Sequence, residues 1–226
     1  MIQGAAFRVL ACFYNQDTSS FTELCEKAGY PTDLGGYYLR QLVSGGYVQK
    51  IDRGSYGITA KGKQQLAFHY GKEIFAPRPR LMVLFLPRVG GKYVALHRKV
   101  QPFMNTHEWP AGAVTMGESF EDAVKRLAVK RLGQLGEHTF HGFFRRTDHY
   151  EDTIFDDKLF AVYTCSFPED TVLSPSSDIG ENIACTREEL FTLPKYGKAF
   201  VDVLEFTEQN DSMLAEYTYT LTMDDL

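Results

Sequence analysis

The sequence predicts two consecutive domains of different class, a small α+β domain followed by a larger α/β domain with a mixed sheet. Residues 3–66 have the pattern of short amphipathic helices followed by two alternating strands. Residues 81–86, LMVLFL, are continuously apolar, as in a strand that is covered on both faces. Between them, GKEIFAPRPR carries two prolines and indicates a stiff linker. We therefore expect domains over 1–70 and 80–226, joined by a linker over 71–79.

Composition excludes several classes of protein. The chain has 226 residues and a hydrophobic fraction of 44%, which is ordinary for a globular protein and far from the disordered regime. Apolar runs fall well short of the roughly 20 residues that span a bilayer, and the N-terminus lacks the charged start of a signal peptide. The four isolated cysteines predict reduced thiols rather than disulfides or a zinc site: Cys12, Cys25, Cys165 and Cys185. We expect a cytoplasmic protein with no membrane partner.

Charge is divided unevenly along the chain. Residues 1–78 contain nine basic and six acidic residues, a net charge of +3. Residues 79–226 contain 15 basic and 23 acidic residues, a net charge of −8. A basic first domain in an otherwise acidic protein indicates that only the first domain binds a polyanion.

The first domain shows a helix-turn-helix pattern. A first helix is predicted over 3–14, and Ser20 with Glu23 has the form of a capping box that opens a second. Gly29-Tyr30-Pro31 breaks the second helix, and Thr32 or Asp33 is expected to cap a third over 34–44. Leu34, Tyr38, Leu42 and Val43 are the expected inward positions of this third helix. Two helices joined by a short glycine-containing turn form the motif.

A hairpin follows the third helix. Residues 47–51 and 56–58 alternate as strands around an Asp-Arg-Gly-Ser turn, and Thr59 is expected to cap a further helix. This order, with the phrase YYLRQLVSGGYVQKIDRGSYGITAKG, resembles the winged-helix domains of bacterial and archaeal transcription regulators. The resemblance covers residues 4–70 and implies binding to double-stranded DNA.

In that family the second helix of the motif enters the major groove and the wing contacts the backbone. Carried over to this chain, the exposed face of the third helix comprises Tyr37, Arg40, Gln41 and Ser44, with Arg40 suited to guanine and Gln41 to adenine. The side chains suited to phosphates are Lys50, Arg53, Lys61 and Lys63. Two alternatives stay open: a face that is merely solvated, or a domain that serves for dimerisation.

The second domain combines strands with three predicted helices. After the apolar strand, Val89-Gly90-Gly91 turns the chain into a strand over 92–98, and a helix is expected over 119–132. Two strands over 140–146 and 158–167 flank an acidic loop, and residues 168–180 form a polar loop. The remaining expectations are a short helix capped at Thr186, a longer helix over 195–208 and an edge strand over 217–221.

Residues 112–133, GAVTMGESFEDAVKRLAVKRLG, carry the most specific pattern of the chain. They resemble the Nudix box, with Gly112, Glu118, Arg126 and Gly133 on its spacing. The resemblance covers 80–207 and implies an α/β/α sandwich. Three carboxylates that hold magnesium in the family are replaced here by Leu127, Lys130 and Arg131. A leucine and two cations cannot ligate a hard cation, so we expect a degenerate box, no catalytic residue, no bound metal and no cofactor.

The resemblance also implies a ligand site. The residues expected to contact a small anionic metabolite are Arg98, Phe103, His107, Trp109, Arg126, Lys130 and Arg131. Four of them have a plainer interpretation. Trp109 is suited to anchoring the core, Arg126 to tying the box loop to the helix, and the lysine–arginine pair to a solvated helix face.

Together the two resemblances indicate a transcription regulator in which a Nudix-like domain senses a small anionic, nucleotide- or sugar-related ligand and a winged helix binds DNA. We expect a homodimer, because a single winged helix seldom supplies useful specificity. The alternatives are a Nudix-type hydrolase of nucleoside diphosphate-linked compounds that uses other catalytic residues, and a scaffold whose two domains bind proteins.

Overall fold

A computed structural model describes residues 4–67, 78–209 and 213–225. The predicted linker over 71–79 lies mostly outside the described residues. The chain forms two compact units, Met1–Pro77 and Arg78–Leu226. Among the helices that the structure describes, none has the length and apolar character needed to cross a bilayer.

The N-terminal unit contains four helices and a small antiparallel sheet within its described part. The helices are α1 (Gly4–Ala11), α2 (Phe21–Ala28), α3 (Thr32–Ser44) and α4 (Ala60–Ala67). The strands are β1 (Thr18–Ser20), β2 (Val48–Asp52) and β3 (Ser55–Ile58), in the order β1-β3-β2. The core of the unit is formed by α1, α2, α3 and the hairpin, around Phe7, Leu10, Leu24, Leu39 and Leu42.

The helix ends of this unit differ in part from expectation. Ser20 caps α2 by accepting a hydrogen bond from the backbone N–H of Glu23 (3.2 Å), but the reciprocal half of the capping box is absent from the described contacts. The Glu23 carboxylate instead accepts from Ser19 and pairs with Lys27. Helix α3 begins after Pro31 without a side-chain cap, so the cap predicted at Thr32 or Asp33 is wrong.

Helix α3 buries a face that matches the predicted one only in part: Leu42 is buried and Tyr38 packs against the core, as predicted. Leu39 and Leu42 are buried, whereas Leu34 and Val43, predicted to point inward, are more than a third exposed. Gly35 is buried against α2, where a Cβ would lie 2.5 Å from the Sγ atom of Cys25. The glycine therefore allows the two helices to approach closely, which offsets its poor helix propensity.

The C-terminal unit contains nine strands and three α-helices in the described residues. Its strands are β4 (Arg80–Val89), β5 (Lys92–Arg98), β6 (His107–Glu108), β7 (Ala111–Ala113), β8 (Glu137–Tyr150), β9 (Thr153–Phe167), β10 (Ser176–Ser177), β11 (Gly180–Cys185) and β12 (Leu214–Leu221). Its helices are α5 (Phe120–Leu132), α6 (Arg187–Leu190) and α7 (Phe200–Gln209).

The strands form one mixed sheet in the order β10-β11-β5-β4-β9-β8-β12, with β6 on β5 and β7 on β4. Strand β4 is parallel to β9 along its whole length, from Arg80 opposite Lys158 to Val89 opposite Phe167. It meets β5 only at their shared turn. Strand β12 pairs parallel to β8 at the end of the sheet, which confirms the predicted edge strand and extends it to Leu214.

Strand β4 is covered on both faces, as its continuous apolar sequence predicts. Leu84 and Leu86 face one core with Trp109 and α7, and Val83 and Phe85 face another with α5. The expected α/β/α layering is therefore present. The short helix α6 begins at Thr186 with a complete capping box, again as predicted.

Two predicted boundaries in this unit are wrong. The acidic loop is absent: β8 and β9 continue to a two-residue turn at Glu151 and Asp152, so Asp156 and Asp157 lie in a strand. Helix α7 begins at Phe200 rather than 195, since Lys195 adopts a left-handed φ of 50° that ends any helix there.

The segment 112–133 forms a strand, a loop and helix α5. Ser119 caps α5 by accepting from the backbone N–H of Asp122 (3.0 Å), and Gly133 ends it with a left-handed φ of 85°. Gly112 of β7 lies over α5, where a Cβ would stand 2.3 Å from Cδ2 of the buried Leu127. The packing of β7 on α5 therefore depends on this glycine–leucine pair.

We predict that Gly112→Ala lowers the free energy of unfolding of the C-terminal unit by about 1–3 kcal/mol, because the added methyl overpacks the core. Leu127→Ala should cost about 2–5 kcal/mol through the cavity it leaves. Trp109, the single tryptophan of the chain, reports this unit in urea denaturation followed by fluorescence. In the double variant the alanine at 112 should cost less than it does alone, and strict additivity would contradict the proposed contact.

Candidate functional site

A cavity of about 90 Å³ lies on the α7 face of the sheet. Its wall combines aromatic and aliphatic side chains with charged groups. The aromatic members are Trp109, Phe160 and Phe200, and the charged members are Arg98, Glu108, Arg146 and Lys158. An apolar wall with a few converging charged groups is typical of a small-molecule site.

Trp109 and Arg98 are held in place by backbone atoms. The Trp109 Nε1–H donates to the carbonyl of Phe200 (2.8 Å), and the two rings stack with centroids 4.4 Å apart. The Arg98 guanidinium donates to the carbonyls of Val100 (2.8 Å) and Gln101 (3.0 Å) and lies 3.4 Å from the carboxylate of Glu108. The cavity wall is therefore largely formed before any ligand arrives.

Strands β8 and β9 bring four charged residues together. Arg146 lies opposite Lys158, and Asp148 lies opposite Asp156. Like charges directly opposite each other repel, so the ion pairs run along each strand instead. Arg146 Nε lies 2.8 Å from Asp148 Oδ1, and Lys158 Nζ lies 2.6 Å from Asp156 Oδ2.

Burial shapes the protonation of this cluster. It lowers the pKa of Lys158, and the hydrogen bond with Asp156 offsets part of that effect. Burial acts to raise the pKa of Asp156, but hydrogen bonds from Arg80 and Lys158 hold it below its usual range. The two directions disagree about the charge of the pair. We treat both groups as charged, since Asp156 has two cationic partners.

A second cavity, of about 450 Å³, adjoins the first at Arg146 and Gly197. Phe103 lies on its wall, and its ring centroid is 5.5 Å from the Arg146 guanidinium and 5.4 Å from Lys158 Nζ. Tyr219 lies on the other side of Arg146, at 5.6 Å. These distances fit cation–π contacts, which place both cations beside aromatic rings.

The expected ligand residues therefore divide into groups. Arg98 and Trp109 line the first cavity, and Phe103 lines the second. His107 lines neither of these cavities: its ring is buried, stacks on His97 at 4.7 Å and has Nδ1 2.6 Å from the Pro194 carbonyl. Burial lowers the pKa of His107, which favours the neutral ring of a structural contact.

Arg126 ties the box loop to α5. Its guanidinium forms two hydrogen bonds with the Glu118 carboxylate (2.6 and 2.7 Å) and one with the Ala113 carbonyl (3.0 Å). The hydrogen bonds from Arg126 lower the pKa of Glu118 to about 2. The geometry favours the structural role over contact with a ligand.

Lys130 and Arg131 lie on the α5 side of the sheet and line neither cavity. Both bind the carboxylate of Asp178, Lys130 through Oδ2 at 2.9 Å and Arg131 through Oδ1. Arg131 is buried and Lys130 is half exposed. The pair is therefore more than the solvated helix face that its sequence also allowed.

These side chains do not fit a magnesium ion. Leu127 is buried in the core, Glu118 is engaged by Arg126, and the positions at 130 and 131 carry positive charge. In the described ranges, no three His, Cys, Asp or Glu side chains are grouped so as to hold a metal ion.

Arg146 and Lys158 line the cavity but were missed from the sequence. The sequence predicts strands only over 140–146 and 158–167, which leaves Asp148 and Asp156 in the acidic loop between them. The signal was present in the alternation, because Arg146 and Asp148, like Asp156 and Lys158, occupy alternate positions that share one face of a strand.

In the N-terminal unit, Tyr37, Arg40, Gln41 and Ser44 are all exposed on α3, as the helical spacing predicts. A groove lies between α3 and the β2–β3 hairpin, with Arg40, Ser44 and Lys50 among its lining residues. Lys50 and Arg53 are exposed on the hairpin.

Lys61 and Lys63 are exposed but engaged within the unit. Lys61 Nζ donates to the Gly45 carbonyl (2.7 Å) and lies 4.5 Å from the Tyr47 ring centroid. Lys63 pairs with Asp17 at 2.6 Å. A phosphate at either lysine would have to compete with these contacts.

Comparison with solved structures shows the fold of the sheet domain. The Nudix domain of NrtR from Shewanella oneidensis, solved in complex with ADP-ribose, matches with a TM-score of 0.52 and 12% identity, over 66% of this chain and 99% of that chain. MutT proteins from Bacillus halodurans and Methanosarcina mazei each match with a TM-score of 0.49, at 18% and 17% identity. They cover 65% and 61% of this chain and 93% and 100% of their own.

No protein-family model matches the sequence, and no curated protein matches it. The structural likeness at this identity shows a shared fold. The mixed α/β part of the chain thus has a Nudix fold.

We predict that Arg146→Ala lowers the stability of the C-terminal unit by about 3–5 kcal/mol, because Asp148 is fully buried and would keep a charge without its cation. Arg145→Ala is the matched control. Arg145 is exposed on the opposite face, where it pairs with Asp157 and Glu216, and should cost about 1 kcal/mol or less. Equal losses in urea denaturation would contradict the assignment.

Proposed function

We propose that the protein is a DNA-binding transcription regulator whose Nudix-fold domain binds a small anionic, nucleotide- or sugar-related ligand. The observation that carries the ligand half is the α7-side cavity, in which Arg98, Arg146 and Lys158 converge beside Trp109. Aromatic rings suit a base or sugar face, and guanidinium groups suit a carboxylate or phosphate. The complex of the NrtR domain with ADP-ribose supports a ligand of this class.

The DNA half rests on the N-terminal unit, which we infer to be a winged helix. Its element order and the exposed polar face of α3 beside the hairpin support this inference. Arg40 and Gln41 then face base edges, and Lys50 and Arg53 face phosphates. The net charge of +3 over residues 1–78 would attract the negatively charged DNA backbone.

Regulation requires that the ligand prefer one state of the protein. A metabolite that binds both DNA-competent and DNA-incompetent states equally shifts nothing, however tightly it binds. The preformed wall around Trp109 and Arg98 supplies affinity. A change of state must therefore come from groups that move. Residues 168–175, which lead into the β10–β11 hairpin, are one segment without helix or strand structure. We further propose a homodimer as the DNA-binding form.

The alternative is a hydrolase of nucleoside diphosphate-linked compounds. It is disfavoured by the side chains at 127, 130 and 131, which offer one apolar group and two cations where the family resemblance implies carboxylates. The remaining box carboxylate, Glu118, already accepts two hydrogen bonds from Arg126.

We predict that DNA binding is salt-dependent and resides in residues 1–78. Arg53→Ala should weaken binding to all duplexes similarly and reduce the salt slope by about 1, whereas Arg40→Ala should cost about 1–3 kcal/mol and relax sequence preference. Fluorescence anisotropy on a selected duplex and on random duplexes measures both. Lys27→Ala is the control, because this lysine is already paired with Glu23 on α2. Failure of the 1–78 fragment to bind any duplex at low salt would refute the assignment.

We predict binding without turnover for the Nudix-fold domain. ADP-ribose, used as the first probe among nucleotide sugars and dinucleotides, should bind in the presence of chelator and stay intact with magnesium or manganese. Arg98→Ala should weaken binding by about 1.5–3 kcal/mol through the loss of charge-assisted hydrogen bonds. Arg187→Ala, an exposed arginine paired with Glu208 away from the cavity, is the control. Metal-dependent hydrolysis of any compound would favour the alternative.

A further inference from the structure

We propose that Lys130 and Arg131 form an oxyanion-binding site that the Asp178 carboxylate occupies in the free protein, so that the β10–β11 turn acts as a latch over it. This site is separate from the cavity of the proposed function and does not rest on it. The ligand class is a small oxyanion, such as phosphate or the phosphate group of a larger metabolite.

The geometry at Asp178 is that of a bound anion. Each carboxylate oxygen pairs with one cationic side chain: Oδ2 lies 2.9 Å from Lys130 Nζ, and Oδ1 pairs with the Arg131 guanidinium. The side chain of Asp178 is nevertheless 51% exposed, whereas that of Arg131 is only 8% exposed. A fixed, buried cation thus meets an anion on an exposed turn, and an incoming oxyanion can take the place of the exposed partner.

Arg131 retains binding capacity beyond Asp178. Its Nε atom is buried and has no hydrogen-bond partner among the described residues. A buried donor without a partner costs free energy, and a tetrahedral oxyanion offers more acceptor oxygens than one carboxylate. Burial lowers the pKa of Arg131, with further lowering from Arg98 and Arg126.

The turn that carries Asp178 contacts both the Lys130–Arg131 pair and the α7-side cavity. Asp178 and Ile179 lie between the paired residues Ser177 and Gly180, so they form the two-residue turn of the β10–β11 hairpin. Ile179 lines the α7-side cavity, and its carbonyl accepts from the Lys99 N–H at 2.8 Å. Release of Asp178 would therefore disturb a residue of the cavity wall. An anion bound at Lys130 and Arg131 would therefore affect the same turn that a ligand in the cavity contacts.

The hairpin is also fixed behind the latch. Asn182 donates to the Arg131 carbonyl (2.7 Å) and the Ser174 carbonyl (2.8 Å), and the Ser174 N–H donates to the Leu132 carbonyl (2.8 Å). These contacts are to backbone atoms and do not depend on the Asp178 carboxylate. We therefore expect the turn to open while the rest of the hairpin stays attached to α5.

The test is calorimetry of the full chain with inorganic phosphate in the presence of chelator, at constant ionic strength. Asp178→Asn removes the competing charge but keeps a hydrogen-bonding side chain, and it should tighten phosphate binding by about fivefold or more. Lys130→Gln should weaken it by a similar factor, and Arg131→Gln should abolish it. Lys125→Gln, which removes an exposed lysine of the same helix paired with Glu121, should leave binding unchanged.

Hydrogen exchange of the wild type supplies a second measurement, which does not depend on whether the Arg131 variant folds. Phosphate added to the wild type should raise exchange at the amides of the turn at 178–179 and leave those of β8 unchanged. The proposal is overturned if Asp178→Asn weakens phosphate binding or leaves it unchanged, or if Lys125→Gln weakens it as much as Lys130→Gln. Absence of phosphate binding by the wild type, with ADP-ribose binding intact, would refute the latch and leave the function of the cavity standing.

Discussion

The C-terminal unit depends on burying both faces of one strand. Leu84 and Leu86 of β4 pack towards α7, and Val83 and Phe85 pack towards α5. Loss of either helical layer would expose alternate apolar side chains of β4 to water. The two layers are therefore stabilised together through the same strand. The same arrangement separates the possible sites. Groups on α5 and groups near α7 lie on opposite faces of the sheet, and the β10–β11 turn contributes to both, Asp178 to Arg131 and Ile179 to the α7-side cavity.

This constraint explains how much of the fold the sequence predicts. An apolar run such as LMVLFL can be placed in few ways in a sheet other than as a strand covered on both faces, and β4 is covered in this way. The predicted helix of the 112–133 segment and the predicted edge strand β12 are also confirmed. The two strands of the β8–β9 hairpin are predicted, but their extension through residues 147–157 is not, because charged residues in a strand have the composition of a loop when their partners are unknown. Arg146, Asp148, Asp156 and Lys158 stay in strands because they pair along each strand on one face, with aromatic rings beside the cations.

The candidate site could be predicted only in part for a related reason. The family resemblance implies that Arg98 and Trp109 contact a ligand, and both line the cavity. It cannot show that Lys130 and Arg131 meet Asp178, which lies 47 residues away from Arg131 in sequence. The apolar spacing of α5 does predict that Ala123, Leu127 and Leu132 pack inside, and all three are buried. Which face of α5 is buried is decided by Gly112 and the strand above it.

The side chains at positions 127, 130 and 131 of α5 therefore have two physical consequences of opposite kind. At position 127 an apolar group strengthens the packing between β7 and α5, which a buried carboxylate without a metal would weaken. At positions 130 and 131 the positive charges draw in a carboxylate from a distant turn, because a buried guanidinium needs an anion to offset its desolvation. Gly112, Ser119 and Gly133 shape the backbone of the segment. Lys130 and Arg131 give the last turn of α5 a positive charge, and the Asp178 carboxylate of the β10–β11 turn pairs with both of them.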